Sequence, residues 1–81
     1  MPRVTARISA TLAAGGPTRR LLQVPDDGTV GDAIAALEAD VGMAPGSLGA
    51  VAVSLAGAIV GHDHPLLGGE ELAVVVPVAG G

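Results

Sequence analysis

The sequence predicts one small two-layer α+β domain, a mixed sheet of four to five strands with one main helix packed across it. Three observations carry this expectation. The chain has 81 residues, 49% of them hydrophobic, which is room for a single core. Apolar side chains alternate with a period of two from Arg3 to Leu12 and again from Val51 to Leu55, and one segment between them has a helical period instead. Glycine and proline cluster at the joints between these segments, where turns are needed.

From Arg3 to Leu12 the pattern alternates strictly, with Val4, Ala6, Ile8, Ala10 and Leu12 on one side. This predicts a half-buried strand. Ala14-Gly15-Gly16-Pro17 supplies a turn, and Arg19 to Val24 returns as a second strand with Leu22 and Val24 inward. Pro25-Asp26-Asp27-Gly28 then breaks the hairpin. Thr29 with Asp32 three residues later forms a capping box with a shorter acid, and Val30, Ile34, Leu37 and Val41 share one helical face. Gly42 suits a left-handed C-terminal cap, which places the helix at about Val30 to Val41. Met43 to Ala50 reads as a loop, with Met43 a simple gap filler. Val51 to Leu55 alternates again, Ala56-Gly57 turns, Ala58-Ile59-Val60 is a short strand, and Gly61 to Gly69 is a long irregular connection. Leu72 to Val78 is a nearly continuous β-branched run, expected to be a central strand buried on both faces and leaving the sheet at Pro77.

A hairpin, a crossing helix and a final central strand make the β-grasp, or ubiquitin-like, arrangement, in which the first and last strands lie side by side through a right-handed crossover. The expected organisation is a single domain over residues 1–78 and a flexible Gly-Gly tail over 79–81. No internal repeat or second domain is visible.

Composition excludes several functions. There is no cysteine, so disulfides, thiolate metal sites and a cysteine nucleophile are out, and a cytoplasmic location is the default. Without Phe, Trp or Tyr no base can be stacked, and a net charge of −4 repels phosphate backbones, so no nucleic-acid partner is expected. No membrane span is expected either, because the longest mainly apolar run, Leu48 to Val60, is short and interrupted. The alternation around Arg3 and Arg7 is unlike the apolar block of a signal peptide. All four arginines precede residue 21 and all eight acids follow residue 25, which reads as a basic hairpin beside an acidic remainder.

The residues expected to carry chemistry are at the end of the chain. Gly80 and Gly81 have no Cβ, so a thin extended tail can enter a narrow site of another enzyme and deliver the Gly81 carboxylate. Pro77, Val78 and Ala79 are expected to add main-chain pairing in that groove. A carboxylate is a poor acyl donor until ATP-dependent adenylation supplies a leaving group, after which sulfur can replace it as a thiocarboxylate. The lack of cysteine fits, since no internal thiol can divert the activated terminus. Other polar groups read more plainly. His62-Asp63-His64 offers too few ligands for a metal and is taken as a solvated turn with Asp63 bonding backbone. Asp26-Asp27-Gly28 is loop chemistry. Glu70 and Glu71 are no catalytic pair, and contact with a basic surface of an activating enzyme is their suggested role.

Val51-Ala52-Val53-Ser54, Asp63-His64-Pro65-Leu66, Gly69-Glu70-Glu71-Leu72 and Pro77-Val78-Ala79-Gly80-Gly81 together resemble the C-terminal half of the MoaD/ThiS family of ubiquitin-like sulfur carriers. That family shows an acid-x-Pro-Leu turn, a Gly-Asp-Glu-type turn before the last strand, and a Pro-Val-x-Gly-Gly ending. Two turns depart from it: Gly68-Gly69-Glu70-Glu71 stands where Asp-Gly-Asp-Glu is frequent, and Ser54-Leu55-Ala56-Gly57 replaces a common Asn-Gly turn. Length and ending are more similar to small subunits of molybdopterin synthase than to the shorter thiamine carriers. The resemblance implies a non-enzymatic carrier with no bound cofactor. Its partners would be a ubiquitin-activating-like adenylating enzyme that uses ATP and a larger synthase or sulfur-transfer subunit. Carriers for thiamine, cysteine or secondary metabolites, a protein modifier joined through Gly81, and a plain interaction module remain alternatives.

Overall fold

The computed structural model describes residues 2–13, 15–49 and 51–75. Chain order is β1 (Arg3–Arg7), α1 (Ala10–Ala13), β2 (Arg19–Gln23), α2 (Val30–Val41), β3 (Ala52–Leu55), β4 (Ala58–Val60) and β5 (Glu71–Val75). The five strands form one sheet in the order β2-β1-β5-β3-β4. β1 runs parallel to β5, with Thr5 opposite Glu71 and Arg7 opposite Ala73, while every other neighbouring pair is antiparallel. First and last strands are therefore central neighbours, as the element order predicts.

α2 has the expected bounds because its ends are locally encoded. Thr29 Oγ1 accepts the Asp32 N–H, and the Asp32 carboxylate accepts the Thr29 N–H at 2.9 Å. Gly42 closes the helix at φ 78°, a conformation that glycine adopts without steric cost. Val30, Ile34 and Leu37 then lie against Val4, Ala6, Leu22, Val24, Val53, Leu72 and Val74 of the strands and their ends. Leu48 and Leu66, from the two long loops, complete the core.

Two expectations are corrected. The first strand ends at Arg7, not Leu12, and Ala10–Ala13 forms one helical turn. Ser9 starts it: its Oγ accepts the Leu12 N–H at 3.1 Å and its carbonyl accepts the Ala13 N–H at 2.9 Å. Turning the chain here exposes Ala10 and brings Ala13 into the core, which strict alternation would not do. The last strand is central but not buried on both faces. Leu72 and Val74 face α2, whereas Glu71 is exposed, Ala73 half-buried and Val75 51% exposed. One helical layer covers one face of a sheet, and the strands contribute nothing to cover the other. Residues 76–78 of the expected strand lie outside the described residues.

Candidate functional site

Pro77, Val78, Ala79, Gly80 and Gly81 also lie outside the described residues, so the site is built from what holds their root. β5 is paired on both sides only as far as Ala73. Beyond it β1 has ended, and among the described residues Val75 pairs with β3 alone, opposite Ala52. The same end of the sheet receives the chain from α2 through the Met43–Gly49 loop and sends β1 into α1.

That loop is held by a residue missed in the sequence reading. Glu38 is 4% exposed, yet its Oε2 accepts the Leu48 N–H at 2.7 Å and its Oε1 accepts the Gly46 N–H at 3.1 Å. Both carboxylate oxygens thus face backbone donors, which is what permits an acid in a core. The signal was present in the sequence, since Glu38 follows Ile34 by four residues on the inward face of α2.

The uncovered face of the sheet carries Arg3, Thr5 and Arg7 of β1, Arg19 and Leu21 of β2, Ala73 and Val75 of β5, and Ser54 of β3 beside Ile59 of β4. Leu21 and Ile59 are 63% and 69% exposed. Arg7, Ser54, Gly57, Glu70, Glu71 and Ala73 line a shallow open depression near the start of β5. It is a concavity in a surface and not an enclosed chamber for a small molecule.

The two acids before this strand are engaged within the chain. Glu70 accepts the Leu67 N–H at 2.7 Å and the Gly68 N–H at 2.6 Å, closing the turn before β5. Partial burial works to raise its carboxyl pKa, but the N–H groups of Leu67, Gly68 and Glu70 itself, with His64 nearby, hold it below the ordinary glutamate value. Glu71 pairs with Arg19 at 2.9 Å across the open face. Arg20 reaches the other way, to Asp40 of α2 at 3.0 Å and to the Pro17 carbonyl at 2.9 Å, tying the hairpin turn to the helix.

His62-Asp63-His64 is indeed a turn, and among the described residues its bonds are made by the two histidines and not by the Asp63 side chain. His62 Nε2 lies 3.0 Å from the Val51 carbonyl, and the His64 N–H donates to the Gly61 carbonyl at 3.1 Å. The His62 and His64 carbonyls accept the Gly31 and Val30 N–H groups at 2.7 and 2.9 Å, so the first turn of α2 spends its donors on this loop. Among the described residues no three His, Cys, Asp or Glu side chains gather as metal ligands. Among them, too, no helix is long and apolar enough to cross a membrane.

A single helix across a five-stranded mixed sheet, with parallel first and last strands at its centre, defines the β-grasp class of ubiquitin-like carriers and modifiers. The chain belongs to the ThiS family, whose model matches residues 7–81. Among solved structures it is similar to the small archaeal modifier protein 1 of H. volcanii, at 24% identity and a TM-score of 0.75 over 96% of this chain and 100% of that one. A second structure, SAMP1 from Haloferax volcanii, is 26% identical, with a TM-score of 0.73 over 98% and 99%. A putative molybdopterin converting factor subunit 1 from Pyrococcus furiosus is 19% identical, with a TM-score of 0.74 over 96% and 100%. No curated protein matches the chain.

Proposed function

We propose that this protein is a cytoplasmic sulfur carrier that is substrate and subunit for other enzymes and has no catalytic machinery of its own. The Gly81 carboxylate attacks the α-phosphorus of ATP on an adenylating partner, and pyrophosphate leaves. Sulfide-level sulfur then attacks the acyl carbon, AMP leaves, and Gly81 carries a thiocarboxylate. The carrier binds no cofactor, and the ATP belongs to the partner. The thiocarboxylate gives up its sulfur in the active site of a larger synthase or sulfur-transfer subunit, with the pterin precursor of molybdopterin as acceptor. The observation that carries this reading is that the match to the ThiS family runs through Gly80 and Gly81. The molybdopterin assignment draws on the Pro77-Val78-Ala79-Gly80-Gly81 ending and on the likeness to a molybdopterin converting factor subunit. Leu21, Ile59 and Val75, exposed on one face beside three arginines, support docking of such partners there.

The similarity to small archaeal modifier proteins favours a second reading, in which Gly81 is joined to lysines of target proteins. All four basic residues here are arginines, so these 81 residues offer no lysine on which to build chains of themselves. Incubation with the cognate adenylating enzyme, ATP and a sulfur source decides by intact mass. Replacement of one oxygen by sulfur supports the carrier. Conjugates on target lysines support the modifier, and an unchanged mass with verified active enzyme refutes both.

A further inference from the structure

Glu38 is the only buried charged side chain among the described residues, and the tail chemistry makes no use of it. Its two acceptors hold Gly46 and Leu48 against α2, the Leu48 carbonyl in turn accepts the Val51 N–H at 3.3 Å, and the next residue, Ala52, is the strand partner of Val75. A chain of bonds therefore runs from a helix side chain to the last described residue of β5. Because the β1 register ends at Arg7 opposite Ala73, β3 is the sole sheet neighbour of Val75 among the described residues.

We propose that Glu38 is a positioning residue for the C-terminal tail: by pinning the Met43–Gly49 loop it holds the start of β3, and β3 holds the root from which residues 76–81 continue. The geometry concentrates the effect there. The β3–β5 pairs nearer Leu72 have a second support from β1, whereas the Ala52–Val75 pair has none, so loosening the loop frays the root before the rest of the sheet. A frayed root must be ordered again when an adenylating enzyme binds, which weakens binding and leaves the chemical step alone. This functional half rests on the proposed delivery of Gly81 to such an enzyme.

The test compares the full chain with Glu38→Gln, Glu38→Leu and Ile34→Val. Glutamine keeps one acceptor and sets an NH2 against the other N–H. Leucine keeps the core filled and removes both acceptors, so one readable variant remains if the other folds poorly. Ile34→Val removes one methylene from the same helix and leaves the loop bonds intact, and serves as the control for general destabilisation. In residue-resolved amide exchange, the slow amides of Ala52 and Val75 are expected to speed up roughly tenfold more than those of Val4 and Ala6 in both Glu38 variants, and in step with them in Ile34→Val. With the adenylating enzyme, KM for the carrier is expected to rise about three- to tenfold at constant kcat in the Glu38 variants alone. Uniform acceleration across the sheet overturns the positioning role. Selective acceleration with an unchanged KM overturns its part in delivery. Failure of the unaltered protein to be adenylated by verified active enzyme overturns the carrier reading instead, and the exchange pattern still decides what Glu38 holds.

Discussion

Ala56 supplies the sharpest test of how this sheet is stabilised. It is the only non-glycine residue with positive φ among the described residues, at 53°, and it precedes Gly57 at 84° in the two-residue turn joining β3 to β4. Two successive left-handed residues match the twist of a tight hairpin, which is why Asn-Gly is the preferred pair there. An L-residue with a Cβ gives up about 1–2 kcal/mol to sit in that region, and asparagine recovers part of it through local hydrogen bonding. Ala56 is exposed, so nothing is lost in packing when it is replaced. Glycine would relieve the strain too, but its freedom in the unfolded chain takes back about 0.5–1 kcal/mol. Ala56→Asn is therefore expected to stabilise by about 0.5–1 kcal/mol. In a domain of this size that raises Tm by roughly 3–6 °C, read by calorimetry. Ala56→Val, β-branched at the same φ, is expected to lower it. The turn lies at the Leu55–Leu72 end of the β3–β5 ladder, away from Val75, so sulfur loading of Gly81 should be unaffected. An Ala56→Asn protein with Tm equal to or below that of the parent would refute the strain argument.

Other perturbations test other parts. Leu37→Ala empties a fully buried site and is expected to cost about 2–5 kcal/mol in urea unfolding, a large share of what a domain this small holds. Glu70 has a folded pKa below its unfolded value, so the stability it contributes is complete above the ordinary glutamate range and is lost as pH falls through the folded value. Glu70→Gln should therefore lower stability at neutral pH and flatten this part of the acid dependence; an unchanged acid profile would show that its bonds to Leu67 and Gly68 do not matter. Deleting Gly81 removes the reacting carboxyl carbon and leaves every described β5 pair in place. Loss of thiocarboxylation with unchanged Tm is expected, and a clear fall in Tm would contradict the tail assignment.

What could be read in advance was whatever neighbours in the chain decide among themselves. The bounds of α2 follow from Thr29, Asp32 and Gly42, which need no distant partner, and Ala58–Val60 follows from its adjacent turn. Strand order followed from the hairpin, helix and final strand taken together. The errors arose where local pattern and tertiary demand part. Alternation through Leu12 is a true periodicity, but Ser9 offers a cap and Ala13 has a place in the core, so the chain turns. The β-branched run of Leu72–Val75 states strand propensity without stating how many layers exist to cover it.

The sequence by itself determined the class of fold, its main helix and the residues at which chemistry is expected, because periodicity, caps and a Gly-Gly ending are properties of order along the chain. Only the tertiary structure decided that one face of the sheet stays open, that Glu70 and Glu71 are engaged at home, and that Glu38 holds the loop behind the root of the tail. Each of these depends on groups brought together from separate segments, as Glu38 is with Leu48 and Arg19 with Glu71. No spacing rule contains them, because a buried carboxylate is tolerable only where folding has already placed its donors.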